Sequence, residues 1–241
     1  MTAGAPDGTA GPGLRHPLLV AIGVEHRFGR RDDAAPPDLV RPRQVHGVVV
    51  ARLEGGAAEP AEADAIVSGT PGVPVGIVTA DCVPVLAASD DGSVVAAIHA
   101  GWRGLAAGVV ARGIEALQAC RPGSRLRVVV GPHIGVCCYE VDEPVLGPLR
   151  ARFGKSLEPA LQPAVDRRPG HWRLDLGALV AVDLQRMGIS PADCGVLPDA
   201  CTACHPARFH SYRRDGTRAG RLVHHIAATA VSRGSPIKRS S

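Results

Sequence analysis

Three short segments carry residues able to do chemistry together: RQVHG at 43–47, TADCVP at 79–84 and HAGWRG at 99–104. They supply His46, Cys82 and His99. Two imidazoles and one thiolate are a usual protein complement for a zinc ion whose fourth position stays open to water. Cys82 follows His46 by 36 residues, and His99 follows Cys82 by 17. Compact structural zinc sites pair ligands a few residues apart, so this wide spacing suits a site assembled by the fold. Each residue taken singly reads more readily as a core cysteine or an ordinary histidine than as a ligand; convergence decides.

HAGWRG adds a second ingredient. It ends an apolar run and opens a helical pattern, where free backbone N–H groups attract anions. Arg103 stands in that turn, and a guanidinium grips phosphate through two parallel hydrogen bonds. FHSYRRDG at 209–216 contributes Ser211, Tyr212, Arg213 and Arg214. The expected catalytic set is Cys82, His99 and Arg103. The expected substrate and phosphate contacts are Arg103, Ser211, Tyr212, Arg213 and Arg214. Surface ion pairing is the plainer role for these arginines, and packing the plainer role for Trp102.

The elements that must position these residues are mostly short and β-like. PLLVAIG at 17–23 reads as a first strand and 26–42 as a loop. VVVARL at 48–53 reads as a strand, and GGAAEPAEA at 55–63 as a flexible connection. ADAIVSG, VPVGIVTA, VPVLAAS and SVVAAIHA follow as strands, the last after a DDG hairpin turn. LAAGVVARGIEALQA at 105–119 has helical periodicity, and RLRVVVGP at 125–132 returns to strand. A short helix is expected within 142–154. RLDLGALVAVDLQRMG at 173–188 reads as a helix stopped by Gly188. GVLPDA reads as a strand and GRLVHHIAATAVSRG at 220–234 as a C-terminal helix. The expected fold class is α/β: one layered domain over 14–235 with a mixed β-sheet flanked by helices. A disordered tail is expected at 1–13 and a basic tail at 236–241. All three metal-ligand candidates fall at strand ends, where sites in sheet proteins gather.

Composition sets the boundaries. Of 241 residues, 45% are hydrophobic and 21% charged, as in globular proteins. Only 3% are aromatic, so Val, Leu, Ile and Ala must build the core. The formal charge of +4 is concentrated in RRDGTRAGR and KRSS. A nucleic-acid binder would show a longer basic stripe with stacking aromatics, so nucleic acid is not an expected partner. No run of about 18 apolar residues suggests a membrane span. The N-terminus lacks the pattern of a signal peptide, and seven cysteines, an odd number, fit reduced thiols in a cytoplasm. CTACH at 201–205 has the C-x-x-C-H form of haem attachment, a use that needs export. A second structural zinc on Cys201, Cys204 and His205 lacks a partnering C-x-x-C, so free thiols are expected.

Together the strings QVHG, ADA, TADCVPVL, AAIHAGWRGLAAGV, GPHIGVCCYEV and CT leading to FHSYRRDGTRAGR resemble one family. It is the YfiH-like, laccase-domain purine nucleoside phosphorylases. The match runs in family order from about residue 43 to 221. The resemblance implies a layered α/β fold and one zinc held by His46, Cys82 and His99. It implies phosphorolysis of adenosine, inosine and methylthioadenosine, and deamination of adenosine, with purine nucleosides and phosphate as partners. It also carries two older readings, a copper-dependent polyphenol oxidase and a factor in peptidoglycan quality control. The segment before QVHG departs from the family: its Thr-Arg loop, Leu-Asn-Leu strand and Asn-Arg helix have no clear match, with Arg30 or Arg31 standing nearest the loop arginine. Zinc deaminases of bases use an H-x-E motif, whereas the residue two past His99 is Gly101. Asp81, Glu140 and Asp215 are the carboxylates left as candidates, although on an extended strand Asp81 would point away from Cys82.

Overall fold

The computed structural model describes residues 13–53, 62–166 and 168–230. α1 (Pro17–Val20) and β1 (Glu25–Phe28) lead to β2 (Val50–Leu53), β3 (Ala65–Ser68), β4 (Pro74–Thr79), β5 (Val83–Ser89) and β6 (Val95–Ala100). Next come α2 (Trp102–Ala107), α3 (Val109–Cys120), β7 (Leu126–Val130), β8 (Glu140–Val141) and α4 (Glu143–Phe153). Then follow β9 (Leu161–Pro163), β10 (Trp172–Leu174), α5 (Leu176–Arg186), β11 (Cys194–Val196), α6 (Tyr212–Asp215) and β12 (Leu222–Ala227).

A six-stranded mixed sheet in the order β11-β7-β5-β6-β3-β2 divides the core. β5 and β6 form an antiparallel hairpin, while β2–β3 and β7–β11 are parallel pairs. Every residue of β5 and β6 is buried. Strands covered on both faces have no polar side to show, which is why these two read as unbroken apolar runs. Alternate residues serve different layers. Val83, Val85 and Ala87 with Ala96 and Ile98 pack against Leu105, Val109, Ile114 and Leu117 of α2 and α3 and against α4 and α5. Leu86, Ala88, Val95 and Ala97 face the other way, onto Phe28, Val75, Ile77 and Ile226. Those four come from the second sheet, β1-β12-β4, antiparallel throughout. A third small sheet, β8-β10-β9, lies beyond. The α/β class and mixed sheet expected from the sequence are present.

Several local readings are corrected. Residues 17–20 form a helical turn, not a strand. Pro17 occupies the first helical position, and the His16 ring accepts the Leu18 N–H at 3.2 Å. A short apolar run carries no period of its own, so the cap decided. The C-terminal helix expected over 220–234 is instead strand β12 where described, paired on one side with β1 and on the other with β4. Its His224 is fully buried and neutral: Nδ1 accepts the Gly29 N–H, and Nε2 meets the Thr79 hydroxyl at 2.8 Å. Those partners lie far away in sequence. The helix expected over 105–119 is divided at Gly108, whose φ of 93° breaks the turn. The helix expected over 173–188 starts only at Leu176, where Asp175 accepts the Ala178 N–H; Arg173 and Leu174 belong to β10. His26–Phe28 belong to β1 rather than to a loop. Gly13, expected in the tail, is buried beside the Phe28 carbonyl. The flexible connection at 55–61, the remainder of the N-terminal tail and the basic C-terminal tail lie outside the described residues.

Candidate metal centre

His46, Cys82 and His99 come together: a ligand atom from each lies within 4.8 Å of the others. The Cys82 sulfur stands 3.9 Å from His46 Nε2, and the two imidazoles meet edge to face, 4.8 Å between centroids. Each arrives by a different device.

His46 sits in the turn before β2 with φ at 60°, a left-handed conformation that costs a non-glycine residue energy. Gln44 clamps this turn to β4: its amide donates to the Val78 carbonyl (2.8 Å) and its carbonyl accepts the Val78 N–H (2.7 Å). The turn then points three successive N–H groups, from Val45, His46 and Gly47, at the carboxylate of Asp64 (3.2, 2.9 and 2.6 Å). Asp64 is wholly buried at the head of β3. It also accepts from His99 Nδ1 at 2.8 Å. That bond fixes the ring tautomer and leaves Nε2 for an ion, the usual carboxylate–histidine–metal relation. Asp64 lies in the ADA string, which in the sequence marks the family resemblance and not a site residue. The available signal was a lone carboxylate beside an apolar strand, which must be paired if buried.

Cys82 lies between β4 and β5 next to Asp81, whose φ of 101° is strained for a non-glycine residue. Three contacts hold Asp81 there. Its carboxylate accepts the Thr202 hydroxyl and the Arg213 N–H, both at 2.6 Å, and its carbonyl accepts the Ile134 N–H. The chain does kink, but both Asp81 oxygens are engaged in tying loops together. Glu140 pairs with Arg168 and His171, and Asp215 with Arg214 and Arg31, so the other candidate carboxylates are also engaged elsewhere. Gly101 completes the cradle. A Cβ there would lie 2.9 Å from the Cys82 sulfur and 3.1 Å from the His46 ring, space that the sulfur and imidazole need.

The electrostatics fit a cation. Burial alone would raise the Cys82 thiol, but hydrogen bonds and positive charge from His46 and His99 outweigh it and bring its pKa to about 6. Burial alone would lower His99, but Asp64 and the Cys82 sulfur overcome it and raise its pKa to about 9. Above about pH 6, therefore, the thiolate is ready, while His99 still holds a proton that an incoming ion must displace. The apparent affinity for a divalent ion is expected to rise roughly tenfold per pH unit from about pH 6.5 to about 9 and then level off. Competition against a chromophoric chelator at stepped pH measures this; a flat profile would contradict the His99–Asp64 arrangement.

The substrate candidates are less uniform. Arg103 is exposed and lies over the Trp102 ring, 4.3 Å from its centroid. Arg213 is exposed, stacks 5.1 Å over Tyr139 and donates to the Cys138 and Glu140 carbonyls. Tyr212 is 54% exposed. Ser211 is buried, and its hydroxyl accepts the Arg214 N–H as the cap of α6. Arg214 is spent on structure: it pairs twice with Asp215 and donates to the Thr202, Ala203 and Phe209 carbonyls. Arg31 likewise bonds the Pro206 and Phe209 carbonyls. Tyr139, not singled out in the sequence, has its phenol pKa raised by burial and then by the charge of Cys82. Cys201 and Cys204 meet Cys137 and Cys138, and His205 takes no part in that cluster.

Fold and site define an α/β protein with a His-Cys-His centre at the strand ends of its main sheet. Residues 25–229 match the family model described as multi-copper polyphenol oxidoreductase laccase, and the chain belongs to that family. It is 41% identical over 189 residues to a purine nucleoside phosphorylase of Xylella fastidiosa, covering 75% of this chain and 68% of that one. It is 34% identical over 199 residues to adenosine deaminase RL5 of an unknown prokaryote, covering 76% and 72%. The crystal structure of the hypothetical protein YfiH from Bacillus licheniformis superposes with a TM-score of 0.76 at 25% identity, covering 86% of this chain and 93% of that one.

Proposed function

We propose that this protein is a zinc-dependent purine nucleoside enzyme that cleaves adenosine, inosine or methylthioadenosine with phosphate and deaminates adenosine. The observation that carries this reading is the meeting of His46, Cys82 and His99 around one point, with His99 held by Asp64. The names of its relatives supply the substrate class. Zinc on these ligands would supply Lewis-acid activation of water and stabilisation of charge on the departing purine. The chain's own residues do the rest. Asp64 keeps the His99 proton on Nδ1. Arg103 and Arg213, the exposed arginines of the two expected phosphate segments, bind the phosphate. The Tyr139 phenol stays protonated and can donate.

A copper oxidase is the second reading, prompted by the family description. Multi-electron oxidation of phenols requires several coppers and paired histidines. Among the described residues, the His-Cys-His centre is the only convergent ligand group that contains histidine. This favours zinc.

The test is metal content together with product analysis. Protein purified without added metal is incubated with each of the three nucleosides, with and without phosphate. Free base should form only with phosphate, together with ribose 1-phosphate from adenosine or inosine and 5-methylthioribose 1-phosphate from methylthioadenosine, and inosine should form from adenosine without it. Copper at the His-Cys-His centre, or phenol oxidation in place of nucleoside turnover, would overturn the proposal.

A further inference from the structure

Four of the seven cysteines gather outside the centre already described. Cys137 and Cys138 lie in the turn between β7 and β8, and Cys201 and Cys204 in the turn between β11 and α6. Their sulfurs all lie within 4.8 Å of one another. Cys137 stands 3.5 Å from both Cys201 and Cys204, and Cys138 stands 3.3 Å from Cys204. These separations are far longer than the roughly 2.05 Å of a disulfide bond. They approach the edge of a tetrahedron of sulfurs around zinc, about 3.8 Å for Zn–S bonds of about 2.3 Å. Four sulfurs this close enclose a single ion, with no room for a multi-iron cluster between them.

We propose that Cys137, Cys138, Cys201 and Cys204 hold a second zinc ion, structural rather than catalytic. Four thiolate ligands close the coordination shell, which is the mark of a structural site. The local backbone is built for it. Tyr139 and Cys138 both donate their N–H to the Gly135 carbonyl (3.1 and 2.9 Å), closing a turn that lets two consecutive sulfurs face one side. Cys201 and Cys204 stand three residues apart across a second turn. The Gly135 N–H donates to the Cys201 sulfur at 3.2 Å, the outer hydrogen bond expected around a metal thiolate. A Cβ on Gly135 would sit 3.3 Å from both the Cys137 sulfur and the Cys201 Cβ, so this close approach suits glycine.

The position gives the ion a job. One turn carries Tyr139 and the Cys138 and Glu140 carbonyls that receive the Arg213 guanidinium. The other carries Thr202, whose hydroxyl holds Asp81 beside Cys82. Backbone bonds already cross between the two segments, from His133 to Ala200 and from Thr202 to His133. An ion bound by both turns would staple the Arg213 side of the site in place without touching substrate. This inference does not depend on the nucleoside reading.

Elemental analysis of zinc-replete protein, with intact mass under non-reducing conditions, tests it. Wild type should hold two zinc ions per chain, and both Cys82→Ser and the double variant Cys137→Ser/Cys204→Ser should hold one. In wild type, alkylation of the four cysteines should be slow and should accelerate after chelation, a readout that remains if the double variant fails to fold. Cobalt loaded into Cys82→Ser should show the absorption of a tetrahedral all-thiolate site. One zinc in wild type with none in Cys82→Ser, four thiols alkylated equally fast with and without chelator, or a mass lowered by the hydrogens lost in disulfide formation would each overturn it. Loss of the second zinc alone leaves the nucleoside assay to judge the first centre separately.

Discussion

Replacing Asp64 with alanine should cost about 3–5 kcal/mol of folding stability and weaken metal binding by about 10–100-fold. The carboxylate is wholly buried and accepts four N–H groups, three from the His46 turn and one from His99. Alanine leaves those donors without their acceptor; the buried His99 ring N–H loses about 1–3 kcal/mol, and the part-buried N–H groups of the His46 turn lose less because water can reach them. The His99 ring loses its tautomer lock, and the left-handed His46 turn loses the bonds that offset its strain. Both imidazoles then drift from the Cys82 sulfur. Asp64→Asn separates the two effects. It keeps the volume but turns an N–H₂ toward donors, so folding should survive better than metal affinity. Urea unfolding and chelator competition measure the pair, and an unchanged affinity in a folded Asp64→Asn protein would show that the carboxylate does not position the ligands.

Cys82→Ser should remove the first ion and nucleoside turnover together. An outer partner such as Asp64 is worth about 10–100-fold in affinity, and loss of a thiolate ligand must cost more. The stability consequence can be calculated. A metal present at a thousand times its dissociation constant stabilises the folded state by about 4 kcal/mol. Wild type should therefore fall by about that amount when the His-Cys-His centre is emptied, whereas Cys82→Ser should show no such decrement from that centre. Comparing the two proteins with the cysteine quartet loaded in both isolates the term. Full turnover by Cys82→Ser would sink the zinc mechanism while leaving the fold and family untouched.

Much of this was legible because burial on both faces writes itself into composition. The apolar runs at 83–89 and 93–100 read as strands and formed β5 and β6, and the Gly188 stop marked the end of α5. His46, Cys82 and His99 were visible as residue types at strand ends. Other features were not legible, for a common reason. The runs at 17–20 and 222–227 are both short, with no period that settles their form: β12 took its form from ladders with β1 and β4, remote in sequence, and α1 from its histidine cap and Pro17. Arg214 read as a phosphate ligand and Ser211 as a substrate contact because a sequence shows a guanidinium and a hydroxyl but not the carbonyls and N–H that occupy them.

The sequence by itself determined the α/β class, the family and the ligand types, since these depend on local pattern and on residue identity. Only the tertiary structure decided that Asp64 holds both the backbone of the His46 turn and the His99 ring, that Asp81 braces loops, and that the vicinal pair at 137–138 meets the C-x-x-C at 201–204. Those relations join residues 17 to 132 positions apart through space. The energy that selects them, hydrogen bonds closed in a buried interior, exists only once the strands have paired.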